Sequence, residues 1–249
     1  MKSLFAFAIL LPVLAFAQSG EVPGLIAKGD ALDKQLKTAD ALAVYLEADQ
    51  LQPNDAEILH RLAKQCGLSM DDVSAKADKI AAGRRALDYS QRAIAADPKN
   101  AKAHLALAIS YGRLAPLLES KTKIAYSKLV KEEADRALAL DANDDLTLHV
   151  LGAWNYEMAN LNVLLRSIAQ LIYGKFPAAS NEEAARLFKK AAAMAPNRVM
   201  HHIELGRTYA AMGQEDLAKA ELEKGLRLPS REKDDEETKR RGRAALKSL

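Results

Sequence analysis

One cysteine, Cys66, is all that the 249 residues hold, so no disulfide can form within the chain. It falls in an apolar helical phase and reads as a small buried side chain rather than a reactive thiol. Aromatic residues are scarce at 5%, while Ala, Leu, Lys and Glu abound. That balance suits an all-α protein with little strand. Neither sign of charge prevails: the formal net charge is +3, and no basic block is dense enough for a nucleic-acid footprint. After residue 17 no apolar run reaches 18 residues, which excludes a spanning helix there. No G-x-S-x-G, P-loop or dinucleotide fingerprint occurs, so nothing points to an enzyme or a cofactor. His201 and His202 lie beside Glu204, but the spacing is not H-E-x-x-H and adjacent rings leave a helix on different sides. The expectation is no catalytic residue and no metal site.

What is present begins with MKSLFAFAILLPVLAFA. Lys2, an apolar stretch from Leu4 to Leu14 and the small-x-small run Ala15-Phe16-Ala17 read as a leader cut before Gln18. The expected division is a signal peptide over 1–17 and one domain over 18–249, secreted or periplasmic.

The domain is repetitive. Residues 199–229 contain Leu205-Gly206-x2-Tyr209, then Ala218-x3-Leu222, then Pro229. This is nearly the tetratricopeptide pattern, a helix–turn–helix unit of about 34 residues. Four earlier stretches carry the same phase. The first has Gly29, Ala41, Tyr45, Ala48 and Pro53. The second has Leu59, Leu62, Ala86, Ala93 and Pro98. The third has Leu107-Ala108-x2-Tyr111, Ala134 and Ala137. The fourth has Leu151-Gly152, Ala184, Phe188, Ala191 and Pro196. Glycine inside a helix costs about 1 kcal/mol relative to alanine. Its recurrence at 29, 152 and 206 therefore implies close helix contact. Trp154 reads as a packing anchor.

The three middle units are longer than the repeat. The second gains a piece around GLSMDDVSAKADKIA, expected to extend its second helix with Ser69 or Asp71 as the cap. The third gains a basic amphipathic piece near LAPLLESKTKIAYSKLV. The fourth gains LNVLLRSIAQLIYGKFPAAS, the most apolar segment after the leader, expected to lengthen its helix pair. The charged end, 231–249, reads as a capping helix over the last unit. The predicted architecture is an all-α, tetratricopeptide-like α-solenoid of five units with helical insertions and a C-terminal capping helix.

The insertions, with the strings AEILHRLAKQ, ESKTKIAYSKLVKEEADRALALDAND and HVLGAWNYEMANLNVLLRSIAQLIYGKFPAAS and the unit over 182–229, resemble the regulator of microtubule dynamics protein family. The similarity runs in outline over residues 55–249. It implies tetratricopeptide-like helices and no catalytic residues. It also implies the properties of the animal members, which associate with microtubules. One of them works at contacts between organelles and has a tetratricopeptide domain that binds phospholipids. The leader over 1–17 is a departure from that pattern.

Two candidate sites follow from the residues themselves. First-helix positions facing away from the second helix line the concave side of such an array. Alignment of the units puts His60, Lys64, Arg113, His149, Tyr156 and Arg207 there. Cations with hydrogen-bonding partners suit a carboxylate or phosphate. The expected partner is a protein or peptide, acidic in character, with an anionic phospholipid head group as the alternative. Leu164, Ile168, Leu171, Ile172 and Phe176 of the fourth insertion are the second site, an apolar patch for an acyl chain or partner.

Overall fold

The structure, a computed structural model, describes residues 13–249. Most of the segment read as a leader, residues 1–12, lies outside the described residues. Those that are described form helices and connecting loops, with no strand among them.

Among the described residues twelve α-helices follow one another: α1 (Val13–Lys34), α2 (Thr38–Leu51), α3 (Ala56–Leu68), α4 (Lys76–Ala96), α5 (Ala101–Leu114), α6 (Ser120–Leu140), α7 (Asp145–Ala159), α8 (Val163–Tyr173), α9 (Asn181–Met194), α10 (Val199–Ala211), α11 (Glu215–Arg227) and α12 (Asp235–Lys247). They pack as five antiparallel pairs, α1/α2, α3/α4, α5/α6, α7/α9 and α10/α11, each second helix also touching the first helix of the next pair. The first helices make one layer and the second helices the other. The chain is an all-α, tetratricopeptide-like solenoid, with α8 as an extra helix and α12 laid over α10 and α11.

The phased small residues explain the pairing. Ala41, Ala86, Ala184 and Ala218 have no exposed surface, and neither do Ala48, Ala93, Ala137 and Ala191. A β-carbon on Gly152 would lie 2.9 Å from Phe188, and one on Gly206 2.7 Å from Leu222. Gly29 is pressed against Tyr45 in the same way. These three pairs, α1/α2, α7/α9 and α10/α11, thus seat a large side chain of the second helix over a glycine of the first, and replacing the glycine would overpack the seam. Cys66 is fully buried beside the first core, and burial pushes its thiol up.

Two expectations about the insertions are corrected. Ser69 and Asp71 do not cap α4. They form a short 3-10 turn that prolongs α3, Ser69 donating to the Cys66 carbonyl, and α4 starts at Lys76 without a side-chain cap. The fourth insertion does not lengthen α7 or α9. It folds as the separate helix α8, started by Asn162, whose side chain accepts from the Leu165 N–H, and ended by Gly174 at φ +83°. A proline-free but glycine-stopped apolar run of this length satisfies its own backbone and then needs only one face covered.

The link between α11 and α12 does more than connect them. Lys233 Nζ donates to Thr38 Oγ1 at 2.8 Å and to Asp72 Oδ2 at 2.6 Å, and Glu232 pairs with Arg198 at 3.1 Å. Buried Asp235 holds the link in shape by accepting from the Arg231 and Glu232 N–H groups. The last unit is thereby tied to the first two.

Candidate functional site

Five helices, α1, α3, α5, α7 and α10, form the inner layer, and their side chains meet across unit boundaries. At the α1–α3 boundary, Arg61 donates to Asp30 at 2.9 Å and to Glu57 at 2.9 Å. Lys64 donates to Asp33 at 2.5 Å, and Gln65 donates to the same carboxylate. Burial alone would raise the Glu57 carboxyl, but hydrogen bonds from Arg61, Asn100 and His60 bring it down to about 2. Burial holds the His60 imidazole below its usual value, against the pull of Glu57.

Farther along, Arg113 at the end of α5 pairs with Asp71 at 2.6 Å, while its Nε is buried without a partner among the described residues. His149 on α7 packs against Phe188 with ring centroids 5.1 Å apart and planes inclined at 58°, and lies 3.1 Å, Nδ1 to Nδ1, from His201. His201 Nε2 donates to Asp145 at 2.8 Å, which leaves its Nδ1 to accept from His149. Burial lowers the proton affinity of both rings, that of His149 most strongly because the neighbouring His201, Arg198 and Arg241 add to it. Arg207 on α10 pairs with Glu204 at 2.5 Å and lies over the Tyr156 ring at 5.2 Å.

The six residues proposed from sequence therefore fall into three groups. His60 and Lys64 belong to the acidic wall of α1 and α3. Arg113 and His149 line one cavity. Tyr156 and Arg207 form a stack. Lys64, Arg113 and Arg207 each have a carboxylate partner, from Asp33, Asp71 and Glu204. The inner layer is thus largely charge-compensated, which its cations alone did not reveal. Asp33 and Asp71 come from other helices than the cations they meet, and linear spacing carries no trace of such a pairing.

The cavity measures about 550 Å³ and lies between α5, α6 and α7. Ile109, Gly112, Ile124, Val130, Val150, Trp154 and Met158 give it apolar walls; Arg113, Lys123, Ser127, His149 and Glu157 supply polar groups. It exists because small residues face each other where α5 and α7 diverge, Ala108 and Gly112 on one side and Ala153 on the other. A β-carbon on Gly112 would meet only Val130, at 3.9 Å, unlike the glycines buried in the seams. Sequence reading took Trp154 as an anchor only. It is 6% exposed and donates to the Tyr173 hydroxyl, yet it also forms a cavity wall. The signal available was the unpaired glycine one residue after Tyr111.

The five residues grouped as an apolar patch part company. Ile168, Ile172 and Phe176 lean on the cluster around Tyr111, Ile124, Trp154 and Met158. Leu164 and Leu171 lie outside that contact, 67% and 80% exposed. At about 100° per residue they sit roughly 70° around α8 from Ile168 and Ile172, at the rim of the covered face, and Phe176 follows beyond the helix end. His201 and His202 are both buried and face different partners, His149 and Asp145 for one, Glu221 and the Pro196 carbonyl for the other.

The geometry agrees with two kinds of likeness. A tetratricopeptide-repeat protein of Thermus thermophilus superposes with a TM-score of 0.64 at 18% identity, covering 90% of this chain and 98% of that one. Regulator of microtubule dynamics protein 1 of Mus musculus is 27% identical over 221 residues, 88% of this chain and 72% of its own length. The Bos taurus protein of the same name is 28% identical, over 85% and 70%. The family model described as Regulator of microtubule dynamics protein 1-3 matches residues 25–249, from within α1 through the cap, and the chain belongs to that family.

Proposed function

We propose that the chain acts by non-catalytic binding, holding a protein or peptide partner along its inner layer. The observation that carries this reading is the cavity beside Trp154, with the Arg113 Nε left buried and unbonded at its wall. An unpaired buried donor is costly, on the order of 1–3 kcal/mol, unless something accepts from it. An apolar side chain of the partner fills the cavity, and a neighbouring carboxylate takes the Arg113 donor. Gly112→Leu blocks the cavity without disturbing a helix seam, and Arg113→Ala removes the donor. Pull-downs from an extract with the wild-type chain and both variants, with proteins and lipids measured together, decide it. A protein held by the wild type and lost by both variants supports the reading. A protein held equally by all three overturns it.

The cavity volume favours a second reading, in which an acyl chain of an anionic phospholipid occupies the same space. A stoichiometric phospholipid in the purified protein, absent from Gly112→Leu, would select it. The relatives' names speak of microtubule dynamics, and co-sedimentation with polymerised tubulin tests whether that property extends to this chain. Among the described residues no helix is long and apolar enough to cross a membrane. The apolar start over residues 1–17 fits export to a secreted or periplasmic location, for which N-terminal sequencing of the mature protein is the test.

A further inference from the structure

Helix α8 covers one face and leaves the other bare. Only Ala169 is fully buried in it, and Leu165, Ile168, Ile172 and Tyr173 complete its inward side. On the outward side Val163, Leu164 and Leu171 are 83%, 67% and 80% exposed; no other large apolar side chain among the described residues passes 50%. With successive residues about 100° apart, Val163, Leu164, Ser167 and Leu171 form one stripe. Arg166 borders it on the helix, and exposed Lys175 follows just beyond the helix end. The Arg166 guanidinium is held over the Phe176 ring at 4.3 Å.

The segment that carries this stripe has charge of one sign, with Glu132 of α6 acting on Tyr173 from the inward side. Residues 158–181 contain no Asp or Glu, in a chain with 33 of them. Helix α6 packs alongside α8, joined by Ser127 and the Tyr173 hydroxyl at 3.0 Å. Its first three turns, residues 120–131, carry Lys121, Lys123, Lys128 and Lys131 and again no carboxylate. Of these, Lys131 is committed to Asp135. An apolar ridge with a cationic border and no acid in its own segment is the pattern of a helix lying in a bilayer interface, with its apolar side chains among the head groups. A two-fold contact with a second copy would instead set the same cations against each other. At about 1.5 Å per residue, α8 is far too short to span a bilayer.

We propose that the outward face of α8 docks on the surface of a bilayer rich in anionic lipid. Val163, Leu164 and Leu171 enter the head-group boundary, and Arg166, Lys175, Lys121 and Lys128 meet the phosphates. This is independent of what the inner layer holds.

The test is flotation of the full chain with vesicles of phosphatidylcholine alone or with added phosphatidylglycerol. The wild type should float with the anionic vesicles, not with the neutral ones, and lose binding as salt rises. The paired variants Leu164→Ser with Leu171→Ser, and Arg166→Ser with Lys175→Ser, should each weaken partitioning at least about tenfold. Melting should stay unchanged for the leucine pair, whose side chains are exposed, and fall only slightly for the other, where Arg166 leaves the Phe176 ring. Leu217→Ser, at a half-exposed leucine on α11, should bind like the wild type. Absence of flotation, or flotation that neither pair of substitutions weakens, overturns the proposal. So does a concentration-dependent dimer in sedimentation that the leucine pair abolishes.

Discussion

Leu222 Cγ stands 2.7 Å from where Gly206 would carry a β-carbon, and the Ala218 carbonyl oxygen stands at 3.0 Å. Gly206→Leu should therefore cost at least about 1–3 kcal/mol in urea unfolding, the range for overpacking a filled seam. Gly112 is the contrast. Its helix would gain up to about 1 kcal/mol from alanine, since the new methyl meets nothing closer than Val130. The two glycines look alike in sequence, and only the repeat phase separates them. Phase made the seam glycines legible before any coordinates. It could not show the carboxylates facing Lys64 and Arg113, because those partners come from elsewhere in the chain; Glu204, three residues before Arg207 on α10, was there to be read. The histidines give a pH signature. The folded-state proton affinities of His149, His201 and His60 lie below the ordinary histidine value. Below the unfolded pKa of about 6.5 the unfolded chain binds more protons, so stability should be full above that pH and fall as the solution is acidified. Melting temperatures from pH 7.5 to 5.5 should show the decline, and His149→Phe, which keeps a ring against Phe188, should flatten it.

Helices recur here with a device that the pattern of small residues does not include. His104 on α5 lies 3.0 Å from the Pro98 carbonyl and 2.7 Å from Glu133 on α6. His202 on α10 lies 2.9 Å from the Pro196 carbonyl and 2.7 Å from Glu221 on α11. In both, a histidine six residues after the proline closing one unit joins that unit to both helices of the next. The hydrogen bond from His202 holds the Glu221 carboxyl below its usual range. His104→Ala and His202→Ala should each cost about 1–3 kcal/mol, because the imidazole N–H that meets the carboxylate, buried at Glu133 and half-buried at Glu221, is lost. Chemical denaturation of the single variants measures it. The proline-to-histidine spacing was visible in the sequence, but its meaning was not, since the second helix supplies the acid at unequal distances along the chain. Helix α8 shows the opposite limit. Its apolar content was plain, whereas its detachment from α7 and α9 depended on Asn162 and Gly174, which are common residues in any loop.

At the level of the molecule, five pairs, the cap and the order of elements were readable from period alone, because each unit buries its faces only against its neighbours. The Lys233 contact with Thr38 and Asp72 was not, spanning as it does most of the chain. Lys233→Ala should change global stability by no more than about 1 kcal/mol, as partly exposed ion pairs do. Hydrogen exchange should nonetheless quicken at the α1–α2 turn and around Asp72, far from the substitution. Unchanged exchange there would show that the contact holds nothing in place. The tie has a consequence for how such an array comes apart. An open stack frays from whichever terminus is weaker, one hairpin at a time. With the link before α12 fastened to the first two units, opening at either side of that contact has to break it, so damage to the last unit is felt at the first two.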